Sequence, residues 1–409
     1  MDFNTGDRLV YLRKNYDNLS QEKLAKVAGL TQPGFVKYEK GAPLQKRAMR
    51  EIAKKFGVPE SYFTPTEKDP KIDLMLEKAF EQLLNVNIES LAEVFDKEPY
   101  ELEISQEVAF RLLQTVYYYK SNQLEKGDRL SENFIPVFIE NVEKIKDNTT
   151  FLKYYYSYNY ELNFKNNALE ECYNYCKLLS EMLTDNHQKG RCLILMCQTL
   201  YRRKHVNEAW NSINKAIEFI ETFDEGVLLS GAYVTLSSVL VFFKLYDEAL
   251  KVLQKIEDIS KVNGNTNITA TLFQHRGTIF LRKKDYQKAI ENFEMAYSKV
   301  KYPQIKSSIL ISLISCHLKT KNILEATRYL DIMRDHELRD HEKKIVESFE
   351  CQIGLYSDEL EKSELRRVLK YFESNNYLTD LKYIYSYLAD YYWEQKSYKE
   401  SAKYYRKKE

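Results

Sequence analysis

The sequence contains few of the residues that interrupt helices. Only 8 of its 409 residues are proline and 12 are glycine. Because strand-rich chains need frequent turns, and those turns use Gly and Pro, this scarcity argues against a β-rich fold. No run of eighteen apolar residues occurs, so we expect no membrane span. The first residues, MDFNTGDRLV, also lack the basic and then apolar pattern of a secretory signal.

Metal-binding and catalytic patterns are also missing. The six cysteines form no CxxC pair, and no histidine lies at zinc-finger spacing from Cys172 and Cys176. There is no P-loop, GxSxG or HExxH motif. We therefore expect buried, reduced cysteines in a cytoplasmic protein that holds no metal or cofactor and is not an enzyme.

The clearest motif runs from Leu19 to Gly41 and is typical of two short helices joined by a tight turn. Ser20 and Thr31 are suited to be their N-caps, and Gly29 between them can adopt a positive φ. The inward positions are Leu24, Ala25, Ala28, Phe35 and Tyr38. Such a pair predicts a helix-turn-helix, whose second helix enters the major groove of DNA.

This segment, closed by Glu39-Lys40-Gly41, resembles the phage-repressor-like DNA-binding domain of the Xre or Cro/CI type over roughly the first sixty-five residues. The resemblance implies contacts with DNA from Gln21 at the start of the first helix of the motif and from the polar face of the second. The departure is Pro33-Gly34, which replaces side chains that often read bases. The candidate DNA-binding residues are Ser20, Gln21, Thr31, Gln32, Gly34, Lys37 and Lys40.

Charge is distributed unevenly along the chain. Residues 1–66 carry twelve Lys and Arg against seven Asp and Glu, a net charge of +5, whereas the remainder carries −4. The positive charge therefore lies in the segment that would bind phosphates.

Helices from Thr5 to Asn15 and from Gln45 to Phe56, with a short turn at 61–63, complete a predicted five-helix domain over residues 1–64. Residues 65–71 contain two prolines and read as a linker. Residues 72–409 are predicted to be long helices, so the chain as a whole is expected to be all-α.

A phrase repeats in this second part. An apolar or aromatic residue is followed after two positions by a small one, with separations of 40, 40, 37 and 75 residues. Its instances are Val206–Ala209, Tyr246–Ala249, Tyr286–Ala289, Ile323–Ala326 and Tyr398–Ser401, and Phe164 with Ala168 extends it backward. Weaker units are expected near Gly127 and Ser363.

The best unit is Thr271 to Val300, in which Gly277 lies on one helix and Phe293 on the next. This is the pattern of a tetratricopeptide repeat, and the array predicted from it is an α-solenoid with a concave face. Amide, guanidinium and apolar groups on that face suit a short peptide, although many would equally well be solvated. The candidate peptide-binding residues are Arg191, Gln198, Tyr201, Arg202, Ser238, Phe242, Gln274, Thr278, Arg282, Ser315 and Gln352.

Tyrosines cluster from Tyr154 to Tyr160 and again from Tyr383 to Tyr392. Stacking on nucleic-acid bases is one interpretation. Packing between helices is favoured, because no basic cluster surrounds them.

A repressor-type helix-turn-helix before a tetratricopeptide array resembles the RRNPP family (Rap, Rgg, NprR, PlcR and PrgX), the peptide-responsive regulators of Gram-positive bacteria and their mobile elements. The resemblance implies a cytoplasmic homodimer that regulates transcription in quorum sensing. It would bind a double-stranded DNA operator and be controlled by a short signalling peptide. Two alternatives stay open: an array that mainly binds a protein partner of the response-regulator type, with DNA binding secondary, and an antitoxin.

Overall fold

The structure is a computed structural model that describes residues 3–16, 19–64, 66–84, 88–140, 143, 145–221, 226–263, 266–300, 303–336, 338, 340–357, 362–375 and 377–408. Over these residues every regular element is helical, which confirms the all-α prediction. None of the described helices is long and apolar enough to cross a membrane. The chain divides into two compact units, residues 1–239 and 240–409.

The first sixty-four residues contain the five predicted helical elements. They are α1 (Thr5–Tyr16), α2 (Gln21–Val27), α3 (Gln32–Glu39), α4 (Lys46–Phe56) and a 3-10 helix (Glu60–Phe63). The caps are those expected, since the side chains of Ser20 and Thr31 accept hydrogen bonds from the backbone N–H groups of Lys23 and Gly34. Gly29 has a φ of +68° and ends the turn after α2.

The next helices connect this region to the repeats. They are α5 (Pro70–Leu83), a 3-10 helix (Glu89–Leu91), α6 (Ala92–Phe95), α7 (Ile104–Lys120), α8 (Leu124–Asn133) and α9 (Ile135–Phe138). Helix α5 begins inside the stretch predicted as a linker, 65–71, of which Pro65 lies outside the described residues. Its N-cap is Asp69 and its first residue is Pro70, a position where the missing N–H costs nothing.

Long helices in pairs make up the rest of the chain. In order they are α10 (Thr149–Lys165), α11 (Leu169–Met182), α12 (Asn186–Arg202), α13 (Val206–Ile220), α14 (Gly226–Phe242), α15 (Tyr246–Asn263), α16 (Thr266–Arg282), α17 (Tyr286–Lys299), α18 (Pro303–Lys319), α19 (Ile323–Arg334), α20 (Asp340–Ser357), α21 (Lys362–Ser374), α22 (Leu378–Glu394) and α23 (Tyr398–Lys408).

The repeated phrase marks the start of the second helix of a pair. Helices α13, α15, α17, α19 and α23 all begin at the first residue of the phrase. The fourth residue of each of these helices is small and buried: Ala209, Ala249, Ala289, Ala326 and Ser401. The repeat register predicted from these five instances is therefore confirmed.

The turn before each of these helices uses lysine where glycine would be expected. A lysine with a φ between 58° and 65° precedes each of them by two residues: Lys204, Lys244, Lys284, Lys321 and Lys396. Asn122 and Asn167 take the same conformation before α8 and α11. Left-handed backbone is unfavourable for a residue with a side chain, so the turns are held by the packing of the helices on either side.

The backward extension of the repeat through Phe164 and Ala168 is wrong by four residues. Because Asn167 makes the left-handed turn, α11 begins at Leu169, and the buried fourth residue of that helix is Cys172. The weak unit near Gly127 is in register, since Gly127 is the fourth residue of α8 and is buried.

Close packing explains why small residues recur within the pairs. A Cβ added at Gly277 would lie 2.7 Å from the ring of Phe293, and one at Gly127 would lie 2.5 Å from the ring of Tyr119. The residues that stand where Gly277 does in other pairs, Cys197, Ser237, Cys351 and Ala389, are all buried. Tyr154 packs between helices, as the packing interpretation predicted, since its ring in α10 lies 5.4 Å from that of Phe80 in α5.

Candidate nucleic-acid interface and inner face of the repeats

Helices α2 and α3 separate apolar and polar side chains as a helix-turn-helix requires. The side chains of Leu24 and Phe35 are completely buried, while Tyr38, which was expected inside, is half-buried. Gly34 is also half-buried. The exposed candidates for DNA contact are Ser20, Thr31, Gln32, Lys37 and Lys40. The start of α3 therefore presents hydroxyl, amide and ammonium groups to solvent.

Gln21 is the exception among the candidates because its amide is engaged inside the domain. Its Nε2 donates to one carboxylate oxygen of Glu39, and the Nε of Arg13 donates to the other at 2.5 Å. Arg13 also donates to the carbonyl of Leu19 at 3.1 Å. Glu39 at the end of α3 is thus tied to α1 and to α2, which fixes the position of α3.

The first turn of α1 touches the backbone of α3. A Cβ at Gly6 would lie 2.4 Å from the carbonyl oxygen of Glu39 and 2.6 Å from that of Tyr38, so only glycine allows this approach. There is no space between the two helices at this point.

The opposite side of α1 is joined to the repeats by a buried ion pair. The Nε of Arg8 donates to Glu107 of α7 at 2.6 Å, and neither side chain is exposed. The two remaining nitrogens of Arg8 donate to the carbonyls of Tyr62 and Leu102 at 2.8 and 2.7 Å. The second oxygen of Glu107 accepts from the hydroxyl of Tyr62 at 2.7 Å. Each group of this junction is therefore satisfied by a partner, as a buried charge requires.

Burial and charge act in opposite directions on this junction. Burial raises the pKa of Glu107, and the guanidinium groups of Arg8 and Arg111 oppose that rise. Burial and the nearby carboxylate of Glu107 raise the pKa of the Tyr62 hydroxyl well above its usual value. The tyrosine therefore stays a hydrogen-bond donor.

Helix α5 lies against three successive first helices of the repeats through one acidic stripe. Asp73 accepts from Gln106 of α7 at 2.8 Å, and Glu81 accepts from Gln188 of α12 at 3.0 Å. Between them, Glu77 accepts from Lys153 and Tyr154 of α10 at 2.7 and 3.1 Å. The apolar side of α5 is buried through Leu76, Ala79, Phe80 and Leu83.

The two arginines predicted to bind peptide in this unit already have partners within the chain. Arg191 is buried and donates to the carbonyl of Glu81 at 2.5 Å, and it also contacts His187. Arg202 donates to Asn167 at 3.1 Å, and its guanidinium lies 4.4 Å from the ring centre of Phe164. Arg191 thus holds α5, and Arg202 packs on the preceding helix pair.

The predicted hydroxyl residues bond to their own helices. Ser238, Thr278 and Ser315 each donate to the carbonyl four residues earlier, at 3.2, 3.0 and 2.7 Å. Their oxygens keep acceptor capacity for a ligand. They supply fewer free donors than the sequence suggested.

Two amides link neighbouring groups on the first helices of the second unit. Gln274 of α16 donates to Ser308 of α18 at 3.1 Å, and Gln352 of α20 donates to Ser348 at 3.1 Å. Gln274 is half-buried, whereas Gln352 is only 1% exposed. Gln274 is therefore accessible to a ligand and Gln352 is not.

The other candidates for peptide binding differ in exposure. Gln198 and Tyr201 are half-buried, while Phe242 and Arg282 are exposed. No group of three possible metal ligands occurs among the described residues. The six cysteines are buried and unbridged, with the sulfurs of Cys176 and Cys192 3.5 Å apart.

Sequence reasoning missed Arg8, Glu107 and the acidic stripe of α5. Arg8 and Glu107 are 99 positions apart, so nothing local indicates that they meet. The stripe did leave a signal, since Asp73, Glu77 and Glu81 recur at intervals of four and must share one face of a helix.

The sequence matches no family model and no curated protein. Solved structures are similar to the chain over most of its length. A Rap protein in complex with competence and sporulation factor has a TM-score of 0.65 at 16% identity, over 83% of this chain and 96% of that one. The chain has the Rap fold. Apo NprR, a quorum sensor from B. thuringiensis, has a TM-score of 0.60 at 16% identity, over 83% and 98% of the two chains.

Aspartyl phosphate phosphatase F from Bacillus subtilis is similar to the same degree, with a TM-score of 0.58 at 16% identity, over 84% of this chain and 94% of that one. Rap and NprR are among the proteins for which the RRNPP family is named. The structural likeness to them confirms the resemblance seen in the sequence at the level of the fold.

Proposed function

We propose that the protein is a cytoplasmic transcription regulator that binds an operator in double-stranded DNA through α2 and α3. The observation that carries this proposal is the exposed row of Thr31, Gln32 and Lys37 on a helix whose Phe35 is completely buried. A capped helix start with hydroxyl and amide groups suits base edges, and lysine suits the phosphates beside them.

Control by a short signalling peptide is the second part of the proposal. The chain shares its fold with a Rap protein bound to competence and sporulation factor and with the quorum sensor NprR. In the second unit, the accessible amide of Gln274, its partner Ser308 and the hydroxyl of Thr278 can pair with the backbone of an extended peptide. As a homodimer, the protein would place two α3 helices in half-sites about 34 Å apart or a multiple of it.

A second candidate function is binding of a protein partner of the response-regulator type. It is favoured by the likeness to an aspartyl phosphate phosphatase and by an open cavity of about 480 Å³ beside α5 and α6. Its lining includes Ile72, Val94 and Phe110.

The DNA-binding proposal is tested by fluorescence anisotropy on duplexes that the protein selects from a random pool. Replacing Gln32 by Ala should relax the preferred sequence and weaken specific binding by about 1–3 kcal/mol. Replacing Lys37 by Ala should weaken binding to all sequences and reduce the slope of log affinity against log salt by about one.

Gln287→Ala is the matched control, because Gln287 is an exposed glutamine in the first turn of α17. Its affinity and sequence preference should equal those of the unaltered protein. If no duplex is enriched, or if Gln32→Ala keeps the site preference unchanged, the assignment of α3 is wrong.

The peptide proposal is tested by hydrogen exchange with and without the peptide fraction of spent host medium. We expect slower exchange in α16 and α18, and Gln274→Ala should abolish that protection while Gln287→Ala retains it. Protection confined to residues around the cavity beside α5, after addition of a partner protein, would favour the second candidate.

A further inference from the structure

Helix α1 makes dense contacts on two sides. Towards the repeats, Arg8 bonds to Glu107, the ring of Tyr11 lies 4.9 Å from that of Phe134, and Asn15 donates to the carbonyl of Asn133 at 2.9 Å. Towards α3, Gly6 meets the backbone of Glu39 and Arg13 bonds to its carboxylate.

We infer that Arg8 and Glu107 are positioning residues for DNA binding. They fix the first domain (residues 1–64) against α7. Because α1 contacts both α7 and α3, the position of α3 then depends on the position of α7. The inference rests on the proposed DNA-binding function. It differs from a tethered domain, in which the segment before α5 would act as a hinge and the repeats would only bring two domains together.

The chemistry of the junction explains why a hinge motion is opposed. Rotating the first domain away would separate Arg8 from two of its three acceptors, Glu107 and the carbonyl of Leu102, and would leave the buried carboxylate of Glu107 without this guanidinium. The guanidinium also lies 4.4 Å from the ring centre of Tyr62, within the range of a cation–π contact. The hydroxyl of Tyr62 donates to the second carboxylate oxygen of Glu107, so the 3-10 helix of the first domain is part of the same junction.

The side of α1 that faces α3 transmits displacement, because the two helices are in direct contact there. The carbonyl oxygens of Tyr38 and Glu39 lie where a Cβ of residue 6 would be, and the carboxylate of Glu39 is held by Arg13 and Gln21. A shift of α1 therefore moves the end of α3 with it, since close-packed contacts do not deform gradually.

The first experiment measures the distance between two spin labels, one on Lys54→Cys in α4 and one on Glu125→Cys in α8. Both positions are exposed, and the six native cysteines are buried, so labelling is selective. The test variant is Arg8→Met with Glu107→Gln, which removes both charges and leaves an acceptor for Tyr62. The matched control is Arg50→Met with Glu60→Gln, an exposed Arg–Glu pair of the same domain at 3.4 Å.

We expect one narrow distance distribution in the unaltered protein and in the control, and a broad one in the Arg8/Glu107 variant. A narrow, unshifted distribution in that variant would overturn the inference. If the variant does not fold, Tyr62→Phe replaces it, because this change removes only one hydrogen bond to Glu107 and should broaden the distribution to a smaller extent.

The second experiment compares affinities for a selected duplex with two half-sites and for a duplex with one. The Arg8/Glu107 variant should lose about tenfold in affinity for the first, a typical coupling between linked sites, and keep its affinity for the second. If the Arg8/Glu107 variant and the control have the same affinity for the duplex with two half-sites, and also for the duplex with one, the positioning role is wrong. If the unaltered protein selects no duplex, the DNA-binding proposal fails, while the distance measurement still tests the junction.

Discussion

The imidazole of His317 stacks on the ring of Tyr329, with centroids 5.5 Å apart and planes 19° apart. His317 is buried, and burial lowers its pKa. The hydroxyl of Tyr329 donates to Glu294 at 2.7 Å, which holds the tyrosine in place. The stack joins α18 to α19 in the core of the second unit, so protonating the imidazole would disturb that core.

Stability should therefore fall in mildly acid solution. Burial also lowers the pKa of His275 to about 4 from its ordinary value of 6.5. Because the unfolded chain takes up the proton first, the contribution of a neutral imidazole is complete above pH 6.5 and is lost as the pH falls towards 4. At pH 5, denaturant unfolding should show a loss of about 2 kcal/mol attributable to His275.

The His275→Gln variant should lose less stability than the unaltered protein between pH 7.5 and pH 5. Gln287→Ala, at an exposed position that does not titrate, is the control and should leave that difference unchanged. An equal loss in His275→Gln would show that this imidazole is not the cause.

Lys284→Gly should stabilise the protein. Lys284 has a φ of +63°, a conformation that costs a residue with a side chain about 1–2 kcal/mol. Glycine avoids this cost, but it loses more backbone entropy on folding, which offsets roughly half of the gain. We expect a gain of about 0.5 kcal/mol in the free energy of unfolding. Glu291→Gly, at an exposed position in the interior of α17, should instead lose about 1 kcal/mol. A loss at both positions would contradict the turn assignment.

Gly277→Ala should destabilise the pair α16 and α17, since the new methyl group would meet the ring of Phe293. Overpacking of this kind costs about 1–3 kcal/mol. Adding Phe293→Leu should cost less in the Gly277→Ala variant than in the unaltered protein, which a double-mutant cycle measures. Gly231→Ala, where a Cβ would meet nothing within 4 Å, is the control and should stabilise α14.

Neutralising the acidic stripe with Asp73→Asn, Glu77→Gln and Glu81→Gln should loosen α5 without unfolding the chain. The bonds of the stripe to α7, α10 and α12 are only partly buried, so each is weak. We expect the exchange rate of the backbone amides of α5 to rise about tenfold, while the apolar face of the helix stays packed against the array. Lys78→Gln, an exposed position of the same helix, should leave the exchange unchanged. Unaltered exchange in the triple variant would show that the stripe does not hold the helix.

The local features of the fold could be predicted from the sequence because they depend on short-range patterns. The caps at Ser20 and Thr31 and the start of α17 at Tyr286 follow from neighbouring residues. The register failed at Ala168 because Asn167, rather than lysine, makes the turn there, and Cys172 replaces the usual alanine.

The long-range features could not be predicted. Nothing in the sequence near Arg8 indicates that this charged side chain is completely buried, because its partner Glu107 lies on another helix far along the sequence. The inner face was likewise assigned from periodicity alone, which cannot show that Arg191 already has a partner in Glu81. The DNA contacts and the division at residue 64 stay predictions.

The spacing of the acidic stripe of α5 also sets the distances between the helices that it contacts. A helix advances about 1.5 Å per residue, so Asp73, Glu77 and Glu81 stand about 6 Å apart along one axis. Each of them bonds to a different helix of the array, α7, α10 and α12 in turn. These three helices cannot spread or close up without losing a bond to the stripe, so α5 works as a gauge that sets the step of the array at this end.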